Sequence, residues 1–264
     1  MGDALPEGWS KVLAEESSLL VCKAREDPGS HFSLKVTLSD HGSYQIWDSA
    51  GQKLWEIHES PVGPGDDARR VLKTLEHLAS FRLVRELSNK DSSDSMDHFR
   101  KSISAHIIGP TGLRIDPDSP IDVQDGGTVE IEVKNEHVGR GYNLYVHPYC
   151  LTSTWEVENV HDGDYAVIPS KSTNCNDDFK GATGTWRKKL RMTGPQAAKR
   201  RGQGPFNDLI KLFVTSRPTS FLSLELPELD DVVKREVVSE SRGGSDLSAT
   251  EDWLTLSFRI RIHP

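Results

Sequence analysis

The part of the chain beyond residue 100 contains many short segments with apolar side chains at every second position, and this pattern constrains the fold most strongly. In TVEIEVKN (128–135) and LTLSFRIRI (254–262), alternation places one set of side chains on each face of a strand. Gly, Pro, Asp and Asn separate the segments at a spacing of roughly 8–12 residues, which is typical of a sandwich. The candidate strands are 103–108, 128–135, 142–151, 153–160, 164–169, 187–192, 209–215 and 254–262. An antiparallel β-sandwich is therefore predicted.

Residues 1–90 have a different pattern. Residues 66–89 carry apolar side chains at helical spacing, with Asp66 or Asp67 available to cap the first turn. Period-two alternation over 31–38 predicts a strand, and two apolar stretches across an Asp-Ser-Ala-Gly turn predict a hairpin after it. Residues 1–20 predict a short helix.

A polar, turn-rich segment separates these two patterns. We take residues 91–101 as the linker. The predicted fold class is α+β, with a small α/β domain over 1–90 and the antiparallel β-sandwich over 102–264. Within the sandwich, Asp162–Gly163 stands between two candidate strands and predicts a two-residue hairpin turn.

Bulk properties narrow the classes of function. The formal net charge is −8, so the chain has no overall field to attract nucleic acid or an anionic membrane. No stretch approaches the ~20 consecutive apolar residues of a membrane helix. The N-terminal sequence lacks the apolar core of a signal peptide, and the three cysteines are widely spaced with no CxxC pair. These features predict a cytoplasmic protein with reduced thiols.

Reactive side chains are present but do not form a known motif. No two of the ten histidines have the spacing that puts them together on a strand or helix as metal ligands, so we expect no metal or other cofactor. A cysteine hydrolase remains an alternative, with Cys150 or Cys175 as the nucleophile and a nearby histidine, His147 or His161, as the base. Acids beside Cys175 act against its ionisation, and Cys150 lies inside an apolar strand.

A basic segment stands out in this acidic chain. Its cations are Arg187, Lys188, Lys189, Arg191, Lys199, Arg200 and Arg201. They predict either a dock for an acidic protein partner or a solvated strand face followed by a loop. Alternation favours the second interpretation, because it turns Leu190 and Met192 inward and most charges outward. The segment argues against nucleic acid as a partner, since only Trp186 is available to stack on bases there.

The stretch DLIKLFVTSRPTSFLSLELPEL (208–229) predicts two consecutive strands. LIKLFV is almost continuously apolar, which is typical of a central strand covered on both faces. Pro218 ends it, and FLSLELPEL resumes the alternation. The exposed edge of this second strand, with Phe221 and Leu224, is a candidate partner-binding site.

Several of these segments resemble one protein family. WEVENVHDGDYAVIP, RKKLRM, the stretch 208–229 and EDWLTLSFRIRI are similar to the region that follows the peptidase domain in fungal caspase-like (peptidase C14) proteins. The likeness covers roughly residues 103–262 and extends more faintly to 9–90. It implies an immunoglobulin-like β-fold in an accessory region.

The catalytic residues of that family do not carry over. Asp40-His41-Gly42-Ser43 is the nearest match to the family's histidine turn, and it belongs to a predicted hairpin. No cysteine has the acid-before, glycine-after frame of the family's nucleophile. The sequence therefore predicts a non-catalytic interaction or regulatory module that binds a caspase-like peptidase domain or itself. The alternatives are the cysteine hydrolase and a carbohydrate-binding sandwich that uses Trp155, Trp186 and Trp253.

Overall fold

A computed structural model describes most of the chain and divides it into two compact units. The described residues are 9, 12, 34–58, 64–91, 93–137, 142–170, 184–202, 204–234 and 252–264. One unit comprises residues 1–82 with 229–236, and the other comprises 83–228 with 237–264. Of the helix predicted over residues 1–20, only Trp9 and Val12 lie within the described residues, and both are buried.

The first unit contains a three-stranded antiparallel sheet, β1 (Leu34–Leu38), β2 (Ser43–Asp48) and β3 (Lys53–His58), in the order β1-β2-β3. The Asp48 carboxylate accepts the backbone N–H groups of Ala50 and Gln52, which fixes the β2–β3 turn. Helix α1 (Pro64–Glu86) follows; its residues up to Arg82 belong to this unit, and its last turn belongs to the second unit. Its apolar stripe is buried as helical spacing requires. A short helix, α4 (Leu229–Lys234), also belongs to this unit.

The second unit contains two sheets. Its strands are β4 (Ile103–Ile108), β5 (Arg114–Ile115), β6 (Pro120–Gln124), β7 (Thr128–Asn135), β8 (Leu144–Leu151), β9 (Val157–Asn159), β10 (Ala166–Ile168), β11 (Thr185–Arg191), β12 (Phe206–Thr215) and β13 (Trp253–His263). One sheet has the order β10-β8-β12-β13-β6, with β9 also paired to β8, and the other has the order β11-β7-β4-β5. Helices α2 (Asp94–Lys101) and α3 (Gln196–Arg200) and a 3₁₀ turn (Leu222–Leu224) complete the unit.

The two sheets pack face to face around one apolar core. Alternate residues of each strand point into it, for example Ile131 of β7, Ile210 of β12 and Phe258 of β13. The α+β class with a β-sandwich is thereby confirmed. The sheets are not purely antiparallel, because β6 pairs parallel to β13 with Ile121 opposite Ile260.

The outer face of the larger sheet is also buried along β8 and β12. Tyr149 and Phe213 are fully buried there and meet edge-to-face at 5.8 Å, and Phe221 stacks on Phe213 at 4.9 Å. Lys211 is 2% exposed, and its ammonium donates to carbonyls in the last turn of α1. The LIKLFV strand is thus central and covered on both faces, as its apolar run predicts.

One strand prediction and one turn prediction are wrong. FLSLELPEL forms no strand: residues Leu222–Leu224 make a 3₁₀ turn, and Leu226 forms one isolated bridge with Val157. The segment around Asp162–Gly163 is not a hairpin turn either. β9 and β10 both pair with the same edge of β8 instead of with each other. The residues between them therefore interrupt the pairing along that edge of β8.

The sequence predictions contain no counterpart of two strands, β5 and β6, or of three helices, α2, α3 and α4. β5 and β6 lie in a Pro- and Asp-rich segment that carries little strand signal. Helix α2 occupies the predicted linker, with Ser93 as its N-cap and with Met96 and Phe99 buried in the sandwich core. Residues 94–101 are therefore packed structure. No helix in the described part of the chain is long and apolar enough to cross a membrane.

Candidate functional site

The strongest candidate for a site is the outer face of the four-stranded sheet. β7 pairs with both β11 and β4, so outward side chains of the three strands stand in rows. Arg187 lies opposite Glu132, and Lys189 lies opposite Glu130. The outward cations of this basic face are Arg114, Lys134, Arg187, Lys189 and Arg191, and its carboxylates are Glu130, Glu132 and Asp116, the last of which lies 3.2 Å from His106. Five positive against three negative charges leave the face positive in an acidic chain.

Glu132 organises the centre of the basic face. Its side chain is 0% exposed and is covered by three cations. Arg187 Nε donates to Oε2 at 2.8 Å, while Arg114 and Lys134 lie 3.1 and 3.3 Å from Oε1. Burial alone would raise the pKa of Glu132, but Arg187 and Lys134 outweigh it and hold the pKa below its usual value. The carboxylate therefore stays ionised and fixes the guanidinium of Arg187.

Other predicted basic residues differ in their partners. Lys188 binds Asp162 at 3.1 Å, and Lys199 binds Asp125 at 2.7 Å. These two cations are neutralised within the chain. Arg200 and Arg201 are exposed around the end of α3 and have no ion-pair partner among the described residues. The exposed positive charge of this segment is thus carried by Arg187, Lys189 and Arg191 on β11, although Lys189 also lies 3.9 Å from Glu130. Arg200, in α3, and Arg201, just after it, lie outside this strand.

The partner-binding prediction for Phe221 is wrong. Its ring is 4% exposed, stacks on Phe213 and meets the His147 ring edge-on at 4.7 Å. Leu224 is half-buried in the 3₁₀ turn. The alternating apolar residues of this segment predicted an exposed strand edge. Instead, the buried Phe221 ring alone anchors the segment, and no strand edge forms.

A groove of about 520 Å³ lies near one end of β9 and β11. The residues that line it include the acids Glu156, Glu158 and Glu228 and the base Arg191. Asp208 also lines it, and burial raises the pKa of this carboxyl to about 6 although the Ser153 N–H opposes that shift. These groups give the groove a mainly acidic lining.

Cys150 and His161 both line this groove, which bears on the hydrolase alternative. Burial, with added repulsion from Asp208 and Glu158, raises the pKa of the Cys150 thiol well above its usual value. The thiol is therefore protonated at neutral pH, and a protonated thiol is a poor nucleophile. Cys175 lies outside the described residues.

His147 is not a base for Cys150. Alternation turns Cys150 into the sandwich core and His147 to the opposite face of β8. The Nδ1 atom of His147 bonds to the Asp164 carbonyl at 3.0 Å, and burial lowers the pKa of the ring to about 4. The imidazole is therefore a neutral, structural group that donates one hydrogen bond.

The carbohydrate-binding alternative depends on exposed tryptophans. All six are buried or half-buried, including Trp155, Trp186 and Trp253. Trp186 packs edge-on against His161 at 5.9 Å. Within the described ranges, no group of three or more His, Cys, Asp and Glu side chains is arranged to hold a metal ion.

Charge alone identified Arg187, Lys189 and Arg191 in the sequence, but it missed the rest of the basic face. Glu130, Glu132 and Lys134 alternate along TVEIEVKN, so the sequence shows that they share a face. What it does not show is the pairing of β7 with β11, which brings Glu132 to Arg187 across 55 residues. No family model matches this chain, and the comparison with curated proteins finds no match.

Proposed function

We propose that this protein is a non-catalytic interaction module whose basic face docks an acidic segment of a protein partner. The observation that carries the proposal is the excess of cations on that face, where Lys189 has 75% and Arg187 has 56% of its side chain exposed. Glu132 holds Arg187 in place beforehand, so binding costs less side-chain entropy there.

An immunoglobulin-like sandwich is the finer fold that we propose. In immunoglobulin domains, strands A, B and E share one sheet and strands C, F and G share the other. If the sandwich strands are taken in chain order, β4, β7 and β11 correspond to the first set, and β8, β12 and β13 to the second. This correspondence supports the resemblance to the accessory region of fungal caspase-like proteins.

That resemblance makes a caspase-like peptidase domain, in the same chain or another, the partner that we propose, with a second copy of this chain as the alternative. The state of Cys150 supports a binding role over a hydrolytic one. We place the protein in the cytoplasm, where a free buried thiol such as Cys150 stays reduced.

Binding of a fluorescent oligo-glutamate peptide, measured by anisotropy, tests the proposal. We expect binding at low salt that weakens as salt rises, because exposed charges are screened over roughly 10 Å at 0.1 M. The double reversal Lys189→Glu with Arg191→Glu should weaken binding at least tenfold. It spares Arg187, so Glu132 keeps its main partner.

The matched control reverses the exposed Lys90 and Lys101, which lie in the same unit but off the basic face. It changes the net charge by the same amount and should leave the affinity nearly unchanged. Equal losses in both variants, or no binding of the peptide at low salt, would overturn the proposal. Tighter binding of a DNA duplex than of the peptide would replace the protein partner with nucleic acid.

A further inference from the structure

β11 has an edge that pairs with no strand among the described residues, here called its free edge, and this edge offers a second kind of recognition beside its charge. β11 is the outermost strand of its sheet, and among the described residues it pairs with β7 alone. An unpaired strand edge presents a row of backbone N–H and C=O groups that can pair with another strand. This inference rests on the proposed function and specifies the shape of its ligand.

The backbone of β11 shows which of its residues face that edge. At its two ends, the Gly184 carbonyl accepts from Asn135 and the Met192 N–H donates to Gly127, both at 2.8 Å and both toward β7. Hydrogen-bonded and non-bonded positions alternate in an antiparallel pair. The N–H and C=O groups of Arg187 and Lys189, at odd positions, therefore point away from β7.

The same residues carry the cationic side chains. Arg187, Lys189 and Arg191 all lie on the outer face of the sheet. A strand added antiparallel to this edge would place one residue directly opposite each of them, with Cα atoms about 5.5 Å apart. Opposite charges at such positions attract, and only every second residue of the ligand reaches this face.

We propose that the free edge of β11 binds an extended protein segment with acidic residues at every second position, which adds to the four-stranded sheet as a further strand. A second copy of β11 does not fit this role. Pairing two copies would set Arg187, Lys189 and Arg191 against one another, and like charges directly opposite are destabilising. The ligand is therefore an acidic strand from a different segment.

Two peptides of identical composition separate strand addition from simple charge attraction. In one, three glutamates alternate with four threonines; in the other, the three glutamates are consecutive. We expect the alternating peptide to bind at least tenfold more tightly in the anisotropy assay. N-methylation of its glutamate nitrogens should abolish that advantage, because those N–H groups face β11 in the added strand.

A pair of variants makes the same distinction on the protein. Lys189→Ala and Lys189→Pro both remove the cation, but only the proline removes the outward N–H. Proline is tolerated on edge strands where the N–H faces away from the sheet. We expect the proline variant to bind the alternating peptide at least tenfold more weakly than the alanine variant, with circular dichroism confirming that both fold. If the proline variant does not fold, the N-methylated peptide decides.

The outcomes separate this inference from the proposed function. Equal affinity for the two isomeric peptides overturns strand addition and leaves charge docking intact. Equal affinities of the alanine and proline variants do the same. Failure of both isomers and of oligo-glutamate to bind at low salt overturns both proposals, and the charges on β11 then serve only to keep this edge from pairing.

Discussion

Lys211 is a buried lysine whose titration should be visible in the stability of the protein. Its ammonium donates to the carbonyls of Val84 and Arg85 at 2.8 and 2.7 Å and lies 5.5 Å from the centre of the Phe213 ring. The last carbonyls of a helix lack partners within the helix, so Lys211 satisfies two of them. Burial lowers the pKa of Lys211 to about 8, although Glu86 opposes that shift.

The direction of the pH dependence follows from this lowered pKa. An unfolded lysine has a pKa of about 10.4. Between pH 8 and that value the unfolded chain binds more protons than the folded one, so stability rises with pH through this window. Integrating the difference gives a gain of about 2 kcal/mol from pH 7 to 9.5.

The comparison with Lys211→Met isolates this gain. Methionine fills similar space and does not titrate, while all other groups titrate alike in both proteins. We expect the difference in unfolding free energy, wild type minus variant, to increase by about 2 kcal/mol between pH 7 and 9.5. Urea unfolding followed by tryptophan fluorescence measures it. A difference that stays constant within about 0.5 kcal/mol would refute the reasoning, because Lys211 would then not titrate in that range.

Three further predictions test the basic face, the aromatic layer and the thiol. Near neutral pH, Glu132→Gln should destabilise the protein by about 2 kcal/mol, and Glu130→Gln, at a more exposed position, should destabilise it by less. Since the folded pKa of Glu132 is lowered, the stability from its ion pairs is present above the ordinary carboxyl pKa, and acid unfolding curves should show the wild-type advantage vanish as the pH falls through the folded pKa. Phe221→Ala should cost about 3 kcal/mol in urea unfolding, whereas Leu222→Ala, at an exposed position, should cost under about 0.5 kcal/mol; equal costs would contradict a buried anchor. In a Cys22→Ser/Cys175→Ser background, iodoacetamide should label Cys150 only after unfolding, and fast labelling of the folded protein at neutral pH would revive the hydrolase alternative.

Alternation of apolar and polar residues predicted a strand well where that strand and the strands paired with it are apolar on one face. β4 and β7 have the predicted bounds, 103–108 and 128–135, because their inward residues are apolar apart from Asn135, whose buried amide donates to the carbonyls of Tyr142 and Ile168. β6 was not predicted, because its first residue is Pro120 and acidic residues follow. A proline is acceptable as the first residue of a strand, and the parallel pairing to β13, distant in the sequence, leaves no local signal.

The opposite error occurred at residues 221–226, where alternation predicted a strand that does not form. Only Phe221 of this segment is fully buried, and one anchor does not impose a period of two. For the site, charge alone pointed to Arg187, but its fixed position depends on Glu132 and Arg114, from strands distant in the sequence. Composition and periodicity therefore do not predict which strands, distant in the sequence, pair with one another.

The double covering of β8 and β12 has a consequence for how the sandwich opens. Their backbone amides lie between the sandwich core on one side and the Tyr149–Phe213–Phe221 layer on the other. Solvent deuterium can reach such amides only when the whole unit unfolds, so they should exchange last. If an acidic strand adds to β11 as proposed, the outward N–H groups of Arg187 and Lys189 should exchange more slowly with the alternating peptide bound than without it.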